Sequence, residues 1–447
     1  SVGVHKCNGA SSKDIFNMFL FETAALFVVA LVCMALLLFA FREYVADMVA
    51  VPTLGTLLNA QTIWLPAIMI LAIFILSALL PARLFSVIPV TQVFRVSTSG
   101  KQGWKRSLLF IQFGGIAFVI TLLVIVLLQY DRLMNNDLGY DPENIVYAPL
   151  NNMDDQKAAK LTAEFKKLPY VTATGLSSMD ILSGYGGFPI LDNEKNWLFT
   201  ARQVNYDADY LSLMKIPLLE GQPLKGDGDI LVNESFVSKR GWTDAAIGKY
   251  IYDDEGNLKG KIVGVTRDFM VNSFFTPQLP VIMFGSDRMS YCNFTVRVSE
   301  LTPEYLREMN DKIAELFPNE DVGFTVLKTI IESQYEGTRH FRDGVFVASI
   351  AILLITLMGL LGYITDEMHR RSKEIAIRKV NGATAPNILR LLSKDVLITA
   401  FPAILLGVIA SRVVGESWLR QFADKIPLTV FIFISTALLV LAIIWDA

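Results

Sequence analysis

The sequence predicts a polytopic α-helical membrane protein, six transmembrane helices carrying an α+β extracytoplasmic domain. Three observations predict it. Six windows are apolar and free of Asp, Glu, Lys and Arg, each close to the length of a bilayer crossing. Between the third and fourth windows the chain changes character and reads as alternating strands and polar helices. A short basic segment then recurs at an offset of 373 residues, each time ahead of an apolar window. The composition agrees: 53% of residues are hydrophobic and 19% charged, against about a quarter charged in soluble domains. Mean hydropathy is +0.44.

The windows are Ala24–Phe41, Trp64–Leu80, Ser107–Gln129, Val345–Thr365, Val396–Ser411 and Leu428–Ile444. The fifth is short and contains Pro402, so its edges are less sharply defined. Their orientation follows from the basic residues. Residues 81–106 carry Arg83, Arg95, Lys101, Lys105 and Arg106 with no acidic residue, and Arg370, Arg371, Lys373, Arg378, Lys379 and Arg390 follow the fourth window. The opposite connections hold only Arg42, Arg412, Arg420 and Lys425. The basic repeats are therefore expected inside and residues 131–343 outside.

Strands are expected at Lys259–Val265 and Asn293–Val298, and helices at Asp154–Leu168 and Pro303–Phe317, the latter opened by a Thr302 cap with Pro303 at its first position. Asp131–Leu138 and Lys328–Phe341 are helix-compatible and are expected to extend the third and fourth spans outward as a stalk. The acidic run Asp253–Asn257 could suggest calcium, but its Gly-Asn sits between two strands and a hairpin turn accounts for it better. Asn233-Glu234 reads as a helix start after a strand, with no ligand assigned.

Several chemistries are disfavoured. There is no G-x-x-x-x-G-K-[ST], H-E-x-x-H or G-x-S-x-G. Cys7, Cys33 and Cys292 are scattered and only three histidines occur, which suggests neither disulfides nor zinc. A net charge of −3 gives no nucleic-acid footprint. Ion-coupled carriers hold ionisable residues at mid-membrane; the polar content here is Gln112, Thr121, Thr356 and small residues.

The repeat pairs Val2–Ala10 with Ile375–Ala383, each ending in Asn-Gly-Ala, and matches Lys6 with Lys379, Asn8 with Asn381, Gly9 with Gly382 and Ile15 with Ile388. In the second copy Glu374 and Arg378 are spaced i, i+4 on a helix, Asn381-Gly382 stops it, and Thr384 and Pro386 start another. The product is a helix–turn–helix elbow on the membrane surface. A plain anchor on anionic lipid explains the charge; a protein-docking elbow also explains why Asn-Gly-Ala recurs at a fixed distance from both spans. Ser1 in place of Met and a chain end inside an apolar run suggest an internal fragment.

Glu374–Ala383 resembles the signature of the FtsX/MacB-like permeases of ABC transporters. Val232–Val237, Gly241-Trp242, Ile247–Lys249 and Ile262–Phe269 are similar to that family's periplasmic core domain. The resemblance implies a bacterial inner-membrane, multi-pass protein. Residues 1–20 are a first coupling elbow and 21–106 two spans with a basic loop. Residues 107–130 are a span, 131–343 the MacB-like periplasmic domain with stalk helices, 344–365 a span, 366–393 the second elbow and 394–447 two spans. The chain would be part of a duplicated eight-span protein. The implied partner is a cytosolic ABC ATPase dimer, which would hold ATP and Mg; no cofactor is expected in this chain, and the chain is expected to be non-catalytic. Lys6, Asn8, Gly9, Glu374, Arg378, Lys379, Asn381 and Gly382 would form the ATPase-coupling interface. The first elbow departs from the pattern, with Ser1 at the position of Glu374 and His5 at that of Arg378. The implied function is mechanotransmission to the periplasmic domain for export (efflux) or peptide/lipoprotein handling. Alternatives are an FtsX-like regulator of cell-wall hydrolases or an antimicrobial-peptide sensor, and a periplasmic adaptor or hydrolase would be the outer partner.

Overall fold

A computed structural model describes residues 9–48, 63–79, 82–83, 103–151, 153–182, 186–192, 194–242, 245–271, 275–286, 291–318 and 320–446. Two compact units emerge: a helical one (Ser1–Val126, Gly337–Val413 and Thr429–Ala447) and an α/β one (Leu127–Glu336 and Val414–Leu428).

Among the described residues, four helices in the chain are long and apolar enough to cross a membrane: Ser12–Ala40, Arg106–Asn135, Glu336–Arg370 and Val396–Leu419. The chain is a multi-pass membrane protein. The expected count of six is not reached by length, because Trp64–Leu79 and Val430–Trp445 have at most 17 residues each. At 1.5 Å per residue that is about 25 Å, short of a ~30 Å hydrocarbon core.

Within the helical unit, small residues set how closely the helices approach. A Cβ at Gly407 would lie 2.3 Å from the Gly114 carbonyl oxygen and 3.0 Å from Ala117 Cβ, so the two backbones touch where these helices cross. A Cβ at Gly359 would lie 2.5 Å from Gln112 Oε1, which makes the Glu336–Arg370 helix a second neighbour of the Gly103–Asn135 helix. The Thr121 hydroxyl donates to Thr436 Oγ1 at 3.1 Å, and Thr356 back-bonds to the Ile352 carbonyl at 2.8 Å. The polar residues of the spans thus serve helix packing and backbone bonding.

The α/β unit is built on eleven described strands: β1 Ile145–Asn151, β2 Val171–Ser177, β3 Gly186–Leu191, β4 Trp197–Tyr206, β5 Leu218–Gly221, β6 Asp229–Asn233, β7 Tyr250–Tyr252, β8 Leu258–Thr266, β9 Val281–Gly285, β10 Tyr291–Val298 and β11 Thr325–Val326. Their order is β11-β1-β10-β2-β4-β9-β6-β8-β5, with β3 on β4 and β7 on β8. The pairs β4–β9 and β6–β8 are parallel. Two separate cores flank one seam. The first packs β1, β2 and β10 against the Asp155–Phe165 and Pro303–Leu316 helices, through Phe165, Phe294, Met309 and Ile313. The second packs β3, β4, β6, β8 and β9 around Phe236. Between them β2 and β4 share a single pair, Ser177 with Tyr206.

The expected helices form with their caps: Asp154 Oδ1 accepts from Lys157 N at 2.8 Å and Thr302 Oγ1 from Tyr305 N at 3.2 Å. The expected hairpin at Asp253–Asn257 joins β7 to β8. Asp253 takes the Lys259 ammonium at 2.9 Å, which holds its carboxyl well below the usual range. The stalk expectation needs correction on both sides: the helix expected to run through Asp131–Leu138 ends at Asn135. Lys328–Phe341 is not one helix: Leu327–Gln334 ends at Tyr335, and a new helix starts at Glu336. Tyr335 is buried and its hydroxyl donates to Met270 Sδ at 3.8 Å, so packing into the α/β core draws the backbone out of helical register there.

Candidate functional site

The second elbow begins where the Glu336–Arg370 helix ends. Glu367 is only 3% exposed and accepts from Arg370 Nη2 at 2.6 Å and from Arg371 Nε. Two guanidinium groups on one carboxylate fix the direction in which the chain leaves the helix. Arg371 N still bonds the Glu367 carbonyl at 2.9 Å, after which Ser372–Val380 forms a short second helix. No side chain of that helix is buried. Arg378 meets Glu374 at 2.8 Å, i to i+4, on its exposed face, a pair worth a few tenths of a kcal/mol (~0.3). Arg378 and Lys379 occupy the last turn, where cations suit the helix dipole.

The turn itself is specified by Gly382. Its φ is +85°, a conformation that costs a residue with a Cβ about 1–2 kcal/mol. Gly382 N donates to the Lys379 carbonyl and Ala383 N to the Arg378 carbonyl, at 3.1 and 2.9 Å. Backbone donors past the turn thereby satisfy the last carbonyls of the helix. The next helix, Ala385–Leu419, runs without interruption from the elbow into the fifth apolar window, with Pro402 inside it. The elbow's second arm is therefore not a separate surface helix.

The described end of the first copy, from Gly9 onward, has a matching turn and helix start. Gly9 has φ +90°. Ser11 caps the next helix through a reciprocal pair, Asp14 N to Ser11 Oγ at 3.2 Å and Ser11 N to Asp14 Oδ2 at 2.9 Å. That helix, Ser12–Ala40, also continues straight into its apolar window. At the same 373-residue offset, Gly9 answers to Gly382, Ser12 to Ala385 and Ile15 to Ile388. Ile15 is 1% and Ile388 9% exposed, so the matched isoleucine anchors the start of both helices.

Of the expected interface, Glu374, Arg378, Lys379, Asn381 and Gly382 fall together on one exposed stretch. Gly9 is exposed at the matching turn, while Lys6 and Asn8 lie outside the described residues. Ile377 and Val380 stand out of that stretch at 63% and 88% exposure. Glu367 was not among the expected site residues; its signal was a carboxylate, beside Asp366, three and four positions before an Arg-Arg pair. In the α/β unit, Asn233 is a structural cap: Oδ1 accepts from Phe236 N at 3.0 Å and Val281 N at 2.8 Å, and Nδ2 donates to the Leu279 carbonyl at 2.9 Å.

Residues 346–445, which include the second elbow, match the family described as FtsX-like permease C-terminal. That C-terminal part of the chain is similar to FtsX-like permeases. No curated protein matches the chain. Among solved structures, it is similar to the periplasmic region of MacB from Actinobacillus actinomycetemcomitans, at 13% identity over 45% of this chain and 97% of that one, TM-score 0.33. It is also similar to the extracellular domain of the noncanonic ABC-type transporter YknZ from Gram-positive bacteria, at 10% identity over 40% of this chain and 98% of that one, TM-score 0.29.

Proposed function

We propose that this permease is the membrane subunit of an ABC-type machine. A separate cytosolic ATPase dimer binds ATP and Mg, docks on the elbows and drives them. The motion passes to the α/β unit on the other side of the bacterial inner membrane, for export or for peptide/lipoprotein handling. The chain itself carries no catalysis in this reading.

One observation carries the reading: the same positive-φ glycine turn precedes two continuous helices that each start on a buried isoleucine. A lipid anchor needs charge alone, not a duplicated turn geometry. In the second copy the turn also presents exposed cations beside the unpacked Ile377 and Val380, the mixture that protein interfaces bury. The excess of basic residues in the connections next to the elbows supports a cytosolic position for the elbows and a periplasmic one for residues 131–343.

The test is co-purification with candidate ATPases from the same cell, followed by coupled ATPase assays. Arg378→Glu with Lys379→Glu is expected to abolish complex formation while leaving the permease in the membrane. Unchanged complex formation and unchanged coupled activity would refute the assignment.

A further inference from the structure

Residues 414–428 lie between the Ala385–Leu419 and Val430–Asp446 helices, yet they pack as part of the α/β unit. Three residues on one stripe of the segment entering that unit, Gln129, Arg132 and Asn136, account for this. Gln129 is fully buried. Its Nε2 donates to the Asp424 carbonyl at 2.9 Å and its Oε1 accepts from Ile426 N at 3.0 Å, so one amide holds the backbone on both sides of Lys425. Arg132 clasps the Asp424 carboxylate, with Nε 3.0 and 3.1 Å from its two oxygens and Nη2 2.7 Å from Oδ1. Asn136 Nδ2 donates to the same carboxylate at 2.6 Å. Beside them Phe422, 3% exposed, stacks on Phe275 with centroids 5.0 Å apart and takes the edge of Trp418 at 5.0 Å.

We infer that Gln129, Arg132 and Asp424 form a latch that makes the Ala385–Leu419 helix a second transmission line into the α/β unit. The inference rests on the reading under Proposed function. That helix starts three residues after the Gly382 turn and stops five residues before Asp424. At 35 residues it is about 52 Å long, with the docking turn at one end and the latch at the other. Pro402 removes one backbone bond inside the rod without ending it. A loop held only by apolar contact could slide as the rod tilts. A bidentate ion pair and a two-sided amide bridge have one register, so displacement of the rod has to move the α/β unit. The ion pair is partly exposed and contributes little alone; its part is alignment, while Gln129 and Phe422 supply the hold. These are positioning residues, and no substrate contact is assigned to them.

The experiment uses the whole permease in lipid nanodiscs, alone and with its co-purified ATPases. Gln129→Leu is expected to speed hydrogen–deuterium exchange of residues 420–428 about tenfold and Asp424→Asn about threefold, and the Arg132→Asp, Asp424→Arg double swap to recover most of the smaller loss. Exchange unchanged by both single substitutions overturns the latch. In the ATPase complex, adding ATP is expected to alter exchange across residues 140–325 in the unmodified permease. Both single variants should lose that response while keeping ATP turnover. A response retained in both overturns the transmission role. If the unmodified complex shows no ATP response at all, the coupling reading itself falls, and exchange at 420–428 still decides the latch.

Discussion

Asp207 lies next to the one strand pair that, among the described residues, joins the two cores of the α/β unit, and its titration should loosen that seam. Its carboxylate accepts from Leu176 N at 2.7 Å and Tyr210 N at 2.9 Å, and its own amide donates to the Leu176 carbonyl at 3.0 Å. Burial, aided by the neighbouring Asp209 charge, outweighs those amides and pushes the carboxyl from its usual 3.8 up to about 6. Between those values the folded chain binds more protons than the unfolded one, so stability falls as pH rises. The contribution is fully present below pH 3.8 and is lost through pH 6. At 1.36 kcal/mol per tenfold change in proton affinity the rise corresponds to about 3 kcal/mol, or about 2 after solvent screening. Cys292 offers the assay. Its thiol is buried on β10 and burial pushes its pKa up to about 12, so it reacts with a thiol probe when the fold opens locally. With Cys7 and Cys33 replaced by serine, the labelling rate of the otherwise native chain is divided by that of Asp207→Asn at each pH, which cancels the thiol's own titration. The ratio should climb about 30-fold from pH 4 to pH 7 and then level off. A ratio that stays flat or falls would refute the argument.

Two further substitutions test packing and capping. Gly407→Ala forces a methyl against the Gly114 carbonyl oxygen and should cost about 1–3 kcal/mol in a detergent-unfolding midpoint. Gly115→Ala, with nothing within 4 Å of the added carbon, should cost nothing, and equal effects would sink the close-crossing account. Asn233→Ala removes three hydrogen bonds from a fully buried side chain and should lower stability by about 2–3 kcal/mol. Trp242, packed near Phe236 on the capped helix, reports this by fluorescence during chemical denaturation.

Local rules made much of this chain legible in advance. Apolar windows reveal helices because the bilayer demands length and composition, and Asp154, Thr302 and Ser11 start helices because a short side-chain oxygen reaches the free amides three residues on. The elbow was readable for the same reason: Gly382 stops its helix with its own backbone, and the Glu374–Arg378 pair spans one turn. Other features depended on what the folded chain brings near. Glu367 looks like any charged residue at a span's end until burial brings two guanidinium groups onto its carboxylate. Tyr335 breaks an expected rod because the α/β core claims its ring. Asp424 and Arg132 are separated by 292 positions, and no period or motif links residues that far apart. Sequence by itself determined the apolar windows, the Thr302 cap and the Gly382 turn, because those choices are settled within a few residues. Only the tertiary structure decided which carboxylates are buried, which helices touch and where the loop is latched, since burial and pairing depend on packing between segments distant along the chain.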